Sequence, residues 1–557
     1  MRVSIGFSGP AGTGVNTSGL LLGQLLSKYG YNILGDKEYA SIIKGDNNNF
    51  FLYISDLNYF ISNQIDYFFA FDDYAISKNE KIYKLKKTYN IKDQNVKFKN
   101  VFCFGVSLKI LGINISQGKK LLEENFGGEI LNLNFESLQQ GYDFIKKSSF
   151  GLQDLGNPKK FMFGNEIVGK GSIASGMDFY GAYPMTPASS LIEVINDEFQ
   201  RINLKMPENK KGVFFQGEDE IAVSMAMLGA KFTGKRAMCG TSGGGFALMT
   251  ESISFSNQAE IGGVYVLSQR DGPSTGTPTF TGQADLNYAL NASFGDTFPI
   301  VLAPSNFDDG YNLIGKALNR SDIYQHPVIF LIDKQFSESY LSISNNELKA
   351  EIIDRGKLQK QGKDSFKRYE FTQDGISPYT LPGTENGEFI ATSYEHDEYG
   401  ATNEEPNMKK LMQEKRFKKL ETFIKKEFNN DFYGYEIVNP EAKKFFVTFG
   451  FNSYVIKEYI NKGKGEREKG KGNSDFGLIV IKVMQPFDTR LKLRLHEHEK
   501  QIKKLIFVEM NYSGQLQNLI KKECNLNSPK REKKIDNFRK YNSYPIFIEE
   551  VKEAIKK

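Results

Sequence analysis

The stretch RVSIGFSGPAGTGVNTSGLLLGQLLSKYG, residues 2–30, decides the fold class. Residues 2–7 read as a short buried strand. Gly9, Gly12 and Gly14 follow, and then Leu20, Leu21, Leu22, Leu25 and Leu26 recur at helical spacing. Strand, glycine turn, helix is the first half of a βαβ unit. Further strands are expected at 50–54, 67–71 and 101–104. The alternation restarts near residue 163, with a helix from 171, a turn at 182–187 and a helix over 220–232. A strand at 237–240, a helix over 246–259 and strands at 263–268 and 328–332 follow. It restarts again at 444–449, 478–483 and 505–508. Three α/β domains with a connector are therefore expected: 1–147, a polar Gly/Pro linker at 148–162, 163–344, a connector at 345–435 with a Lys/Glu-rich helix over 407–428, and 436–557. The run NKGKGEREKGKGN, 461–473, reads as a solvated loop insertion.

Composition agrees with a folded protein of several domains. The chain has 557 residues, 40% hydrophobic and 25% charged, which excludes a disordered or collagen-like polymer. Its 72 Lys+Arg against 67 Asp+Glu leave +5, too little over this length to suggest nucleic acid as partner. Cys103, Cys239 and Cys524 stand far apart, so no local zinc or iron–sulfur motif exists and no metal site is expected. The longest apolar runs, such as 327–332, are too short to span a bilayer. No membrane association is expected, and the expected location is cytoplasmic.

Four motifs can carry chemistry. The 9–14 turn lets backbone approach a phosphate at a helix start, although it lacks both the GxGxxG spacing and a Walker lysine. A tight turn for helix–strand packing explains it equally well. In AYPMTPASS, 182–190, two prolines stiffen the chain around Tyr183, Pro184 and Thr186, and Ser190 with Glu193 forms a candidate capping box. In QGEDE, 216–220, three acids precede an apolar helix. The helix start alone accounts for acids there, but a buried apolar helix draws at least one inward, where a partly desolvated carboxylate can relay protons. The residues leave open which one. The loop SQRDGPSTGTPT, 268–279, offers Arg270 as a fork for a carboxylate and Ser274 and Thr275 as hydroxyls; alternatively Arg270 simply pairs with Asp271.

Taken together, YPMTPASS, the run from Gly217 to Gly245 and QRDGPSTGTPT resemble the alpha subunit of 2-oxoacid:ferredoxin oxidoreductases, and GPAGTGV resembles the family's gamma subunit fused in front. GISPYTLPG (375–383), EHDEYG (395–400) and EMNYSGQL (509–516) match in family order. The resemblance implies a gamma-type Rossmann-like domain, a thiamine pyrimidine-binding domain and a transketolase C-terminal-like domain. It implies oxidative decarboxylation of a 2-oxo acid on thiamine diphosphate, with acyl transfer to coenzyme A and electrons to ferredoxin. It assigns Glu218 to the aminopyrimidine, Thr186 to the reacting centre and Arg270 to the substrate carboxylate. The Gly9, Gly12 and Gly14 turn falls to coenzyme A. No Gly-Asp-Gly motif for diphosphate occurs. The resemblance therefore implies a beta subunit bringing Mg²⁺, the diphosphate site and a [4Fe-4S] cluster, in an (αβ)₂ assembly. Tyr379 stands where the family has a basic residue. The expected substrate is 2-oxoglutarate, then pyruvate or another 2-oxo acid. More distant readings are an NAD-binding dehydrogenase, with Asp36 as its ribose acid, and a non-catalytic assembly subunit.

Overall fold

The computed structural model describes residues 1–40, 45–344, 348–428, 432, 434–465 and 475–555. The opening strand Arg2–Gly9 is buried along nearly its whole length, and the helix Val15–Lys28 packs Leu21, Leu22, Leu25 and Leu26 onto its sheet. That first sheet runs in the order Lys84–Asn90, Gln64–Ala70, Arg2–Gly9, Asn48–Ser55, Asn32–Glu38, Tyr340–Ile343, Lys160–Phe163. The antiparallel strand Asn48–Ser55 separates the first two strands of the chain. A dinucleotide fold sets those two side by side, so the sheet order argues against the dehydrogenase reading. Asp36 moreover is buried within its strand.

The second sheet orders as Val483–Gln485, Ile300–Leu302, Pro327–Asp333, Gly263–Gln269, Ala237–Thr241, Phe179–Ala182, Val213–Gln216. Its six own strands are parallel, so their C-terminal ends share one edge, where such sheets bind ligands. The third sheet is Tyr435–Val438, Phe476–Ile481, Lys444–Phe449, Lys504–Glu509, Ile535–Arg539. Strands cross between units. Tyr340–Ile343 and Lys160–Phe163, which flank the second unit in sequence, extend the first sheet, and Val483–Gln485 caps the second. Each pairing covers a sheet edge that would otherwise present unpaired backbone.

Three local expectations change. Residues 101–104 lie inside the helix Lys99–Leu111, not in a strand, because a short apolar run fits either and only its buried packing decides. The helix expected from 171 is Gly164–Ala174, and the one expected over 246–259 is two helices, Gly243–Leu248 and Thr250–Gln258, meeting at Met249. Of the 461–473 run, residues 466–473 lie outside the described residues, and the helix Asn452–Gly465 takes in its start. The connector is irregular over 348–405 and ends in the helix Pro406–Glu427.

Candidate active site

The C-terminal edge of the second sheet brings four loops together, following Ala182, Gln216, Thr241 and Gln269. In the loop after Gln216, Asp219 caps the helix Glu220–Phe232 by accepting from the Ala222 amide at 2.8 Å. That cap sets the helix phase. Glu220 falls on the buried face with Val223, Ser224, Met227 and Leu228, while Glu218 is exposed in the chain. The buried acid of the run is therefore Glu220 and not Glu218, which the resemblance had singled out. Glu220 is 3% exposed and its Oε1 has no hydrogen-bond partner. A Cβ placed on Gly245 would lie 2.3 Å from that oxygen and 2.2 Å from Thr241 Oγ1, so only glycine lets the turn pass this close. A buried carboxylate oxygen left unpaired is costly and marks a place for a ligand donor. The spacing 220, 223, 224, 227, 228 is visible in the sequence and was the signal that could have found it.

Arg270 Nη1 donates to the Thr186 carbonyl at 2.9 Å, joining the two loops whose residues were expected to meet a substrate. Its Nε is buried without a partner. Arg270 does not pair with Asp271, whose Oδ2 accepts instead from Thr277 Oγ1 at 2.7 Å and Ser543 Oγ at 2.6 Å. Burial lowers the Arg270 pKa, and Asp285 pulls it back up. Burial conversely pushes the Asp285 carboxyl up to about 6 against the pull of Arg270. Asp285 Oδ2 lies 2.9 Å from where a Cβ on Gly243 would stand. Two carboxyls thus straddle the triglycine turn, Asp285 at Gly243 and Glu220 at Gly245. The capping box expected of Ser190 is absent: the Asn165 amide bonds to the Ser190 hydroxyl and the Pro187 carbonyl, both at 2.9 Å.

Other expected site residues lie apart. Tyr183, Pro184, Ser274 and Thr275 are exposed. Thr275 lines a cleft of about 450 Å³ with Glu38, Tyr39 and Lys78 of the first domain and Tyr544 of the third. In the glycine turn, packing explains two residues: a Cβ on Gly9 would meet Phe71 at 2.5 Å, and one on Gly14 would meet Asn100 at 2.6 Å. Only Gly12 borders open space. Tyr379 donates to the Arg355 carbonyl at 2.9 Å and sits near Lys231. Lys231 lies at the opposite end of the helix that begins with Glu220, so the departure at Tyr379 falls about 16 Å from the site.

The helix Glu220–Phe232 is not apolar-buried all round. Ile221 and Met225 are 48% and 44% exposed, beside exposed Val213 and Phe215 of the sheet's outermost strand. Such an exposed apolar face has the character of a protein interface. No helix among the described residues is long and apolar enough to cross a membrane.

A family model described as pyruvate flavodoxin/ferredoxin oxidoreductase, thiamine diphosphate-binding, matches residues 170–415, and one described as pyruvate ferredoxin/flavodoxin oxidoreductase matches 4–91. The chain is 30% identical to a 2-oxoacid:ferredoxin oxidoreductase alpha subunit of Saccharolobus solfataricus, covering 100% of this chain and 98% of the relative. It is 31% identical to the 2-oxoglutarate synthase subunit KorA of Methanocaldococcus jannaschii over 66% of this chain and 92% of that one. Among solved structures, a 2-oxoglutarate:ferredoxin oxidoreductase from Magnetococcus marinus, with 2-oxoglutarate, coenzyme A and succinyl-CoA bound, superposes with a TM-score of 0.86 at 28% identity. That match covers 100% of this chain and 99% of the other.

Proposed function

The chain belongs to the 2-oxoacid:ferredoxin oxidoreductases, and we propose that it forms the pyrimidine half of a thiamine diphosphate site completed by a beta subunit. One observation carries this reading: Glu220 is buried, lacks a partner for Oε1 and faces a turn that only glycine can make. The residues present fit the cofactor's aminopyrimidine, with Glu220 holding it in the role first given to Glu218. Bound thiamine diphosphate supplies the electron sink that decarboxylation of a 2-oxo acid requires.

The chain's own groups then divide the work. Glu220 would meet the ring through Oε1 and exchange a proton with it there. Arg270, fixed by the Thr186 carbonyl, receives the substrate carboxylate through its unused Nε edge. Thr186 sits beside that carboxylate, and Tyr183 and Pro184 form the rim. We assign coenzyme A to the cleft walled by Thr275 and the first domain, with Ser274 at its lip and the turn bearing Gly9, Gly12 and Gly14 on the same sheet end as Glu38. Gly12 is the turn residue open to a phosphate.

The beta subunit would cover the face with Phe215, Ile221 and Met225 and bring the diphosphate site, Mg²⁺ and the [4Fe-4S] cluster that passes electrons to ferredoxin, in an (αβ)₂ assembly in the cytoplasm. End-to-end similarity to an enzyme with 2-oxoglutarate bound favours 2-oxoglutarate as substrate, ahead of pyruvate. The test is to co-purify the chain with its partner and assay a panel of 2-oxo acids with coenzyme A and an artificial electron acceptor. 2-Oxoglutarate should give the highest kcat/KM, and the isolated chain should be inactive. Turnover by the chain alone, or wild-type turnover by a Glu220→Gln complex, would defeat the reading.

A further inference from the structure

At the end of the helix Glu220–Phe232 remote from Glu220, a small cavity of about 30 Å³ lies between the second domain and the connector. Lys231, Glu260 and Asp322 line it from the domain, Arg355 and Arg368 from the connector. Asp322 is wholly buried and pairs with Lys231, with Arg236 Nη1 at 2.5 Å and with Arg355 Nε at 2.9 Å. Glu260, equally buried, pairs with Lys415 at 2.7 Å and Lys419 at 2.6 Å. Arg368 meets no carboxylate among the described residues. Its Nη2 donates to the Glu260 main-chain carbonyl at 2.6 Å, and its Nη1 is buried without a partner. The side chain is only 3% exposed and lies against the rings of Tyr369, Tyr379 and Phe389. The acids nearby are engaged elsewhere. Asp178 accepts from the Arg236 amide and pairs with Lys235, Asp374 takes Lys357 and Lys426, and Glu395 takes Lys409 and Arg416. Six cations therefore crowd two carboxylates, and the one donor left over opens on a cavity. An unanswered buried charge is costly.

We propose that this cavity binds a monovalent anion of halide size, such as chloride, seated against Arg368 Nη1 between Lys231 and Arg355. Size sets the class of ligand. One water needs about 10–15 Å³ of such space, so the cavity admits two bodies of that size and excludes phosphate, a 2-oxo acid or a nucleotide. Charge selects between an anion and water. Water alone would give Arg368 Nη1 an acceptor and leave the cation surplus standing. The second body is a water, because Gln325 Oε1 also lines the cavity, is buried and has no partner. That oxygen accepts only, so it needs a donor, and a water can donate both to it and to the anion. Burial lowers the Lys231 and Lys419 pKa values, that of Lys419 to about 7, and an anion beside them favours their charged forms. Bound there, the anion ties the connector residues Arg355 and Arg368 to the helix end that carries Lys231.

The experiment has a crystal arm and a solution arm, both on the full-length chain. Crystals soaked in sodium bromide, with diffraction recorded at the bromine absorption edge, should show an anomalous peak in the cavity against Arg368. In solution, thermal midpoints are compared in sodium chloride, sodium bromide and sodium gluconate at one pH and one ionic strength, gluconate being too large to enter. Chloride and bromide should each raise the midpoint by on the order of 2 °C over gluconate, the scale of a ligand present well above its dissociation constant. Arg368→Gln, which removes the free donor and its charge, should abolish that gain. Bromide peaks on the surface only would overturn the proposal, and this arm needs no variant to fold. Equal wild-type midpoints in chloride and gluconate, or a chloride gain undiminished in Arg368→Gln, would also overturn it.

Discussion

Two groups of charged residues lie at opposite ends of the helix Glu220–Phe232, and they are built on opposite principles. At the C-terminal end, the wholly buried Asp322 meets Lys231, Arg236 and Arg355. Nearby, Glu260 takes Lys415 at 2.7 Å and Lys419 at 2.6 Å from the connector helix, and Arg368 donates to its carbonyl at 2.6 Å. Every acid there is answered more than once. At the N-terminal end, Glu220 Oε1 and Arg270 Nε are unanswered, and Arg270 otherwise donates only to the Thr186 carbonyl. Saturated acids lock the connector to the second domain. Unsaturated charge costs folding energy and persists where a ligand will complete it.

Substitutions sharpen that contrast. The largest effect should come from Glu220→Gln, which should lower turnover of the assembled complex on the order of a thousandfold. Its thermal midpoint should stay within a few degrees of wild type, because no internal partner is lost. Glu260→Gln should do the reverse, costing about 3 kcal/mol by stranding buried lysines and leaving the kcat of surviving folded complex near wild type. If thermal melts and initial rates ranked these two the other way, the comparison would fail.

The next effect tests the interface. Ile221→Asp puts a charge on the apolar face beside Glu220. Partner affinity, read by analytical ultracentrifugation, should weaken by about 2 kcal/mol, near thirtyfold. An unaltered constant would move the beta subunit to another face.

The smallest effect is in the connector. Burial alone would raise the Glu395 carboxyl, but bonds from Arg416 and Lys409 outweigh it and hold the group down to about 2. A depressed acid stabilises the fold fully above its unfolded value near 4.5, and that contribution fades as pH falls toward 2. Glu395→Gln should therefore lower stability by about 1 kcal/mol at pH 7, allowing for the exposed Lys409, and the gap to wild type should narrow below pH 4.5. Melting curves at pH 7 and pH 4 decide it.

Much of the architecture was readable. Alternating strands and helices around the glycine turn predict the α/β class, and the motif series points to the family to which the chain belongs. Other features were hidden for physical reasons. The run at 101–104 fits strand or helix until the buried face of Lys99–Leu111 is seen. Glu218 and Glu220 are chemically equivalent in sequence, and a single hydrogen bond from the Ala222 amide to Asp219 turns one inward and leaves the other in solvent. Arg270 and Asp271 are neighbours in sequence, yet their partners come from residues 186, 277 and 543.

By itself the sequence determined the periodicities, the glycines and the order of motifs, because these depend on local sterics and on the spacing of apolar residues. Tertiary structure alone decided which charges are answered. Whether a buried carboxylate has a partner depends on segments distant in the chain, such as the 509–516 motif gripping 283–287 or the connector helix reaching Glu260. Electrostatic energy depends on distance in space and on exclusion of water, and neither is a property of position along the chain.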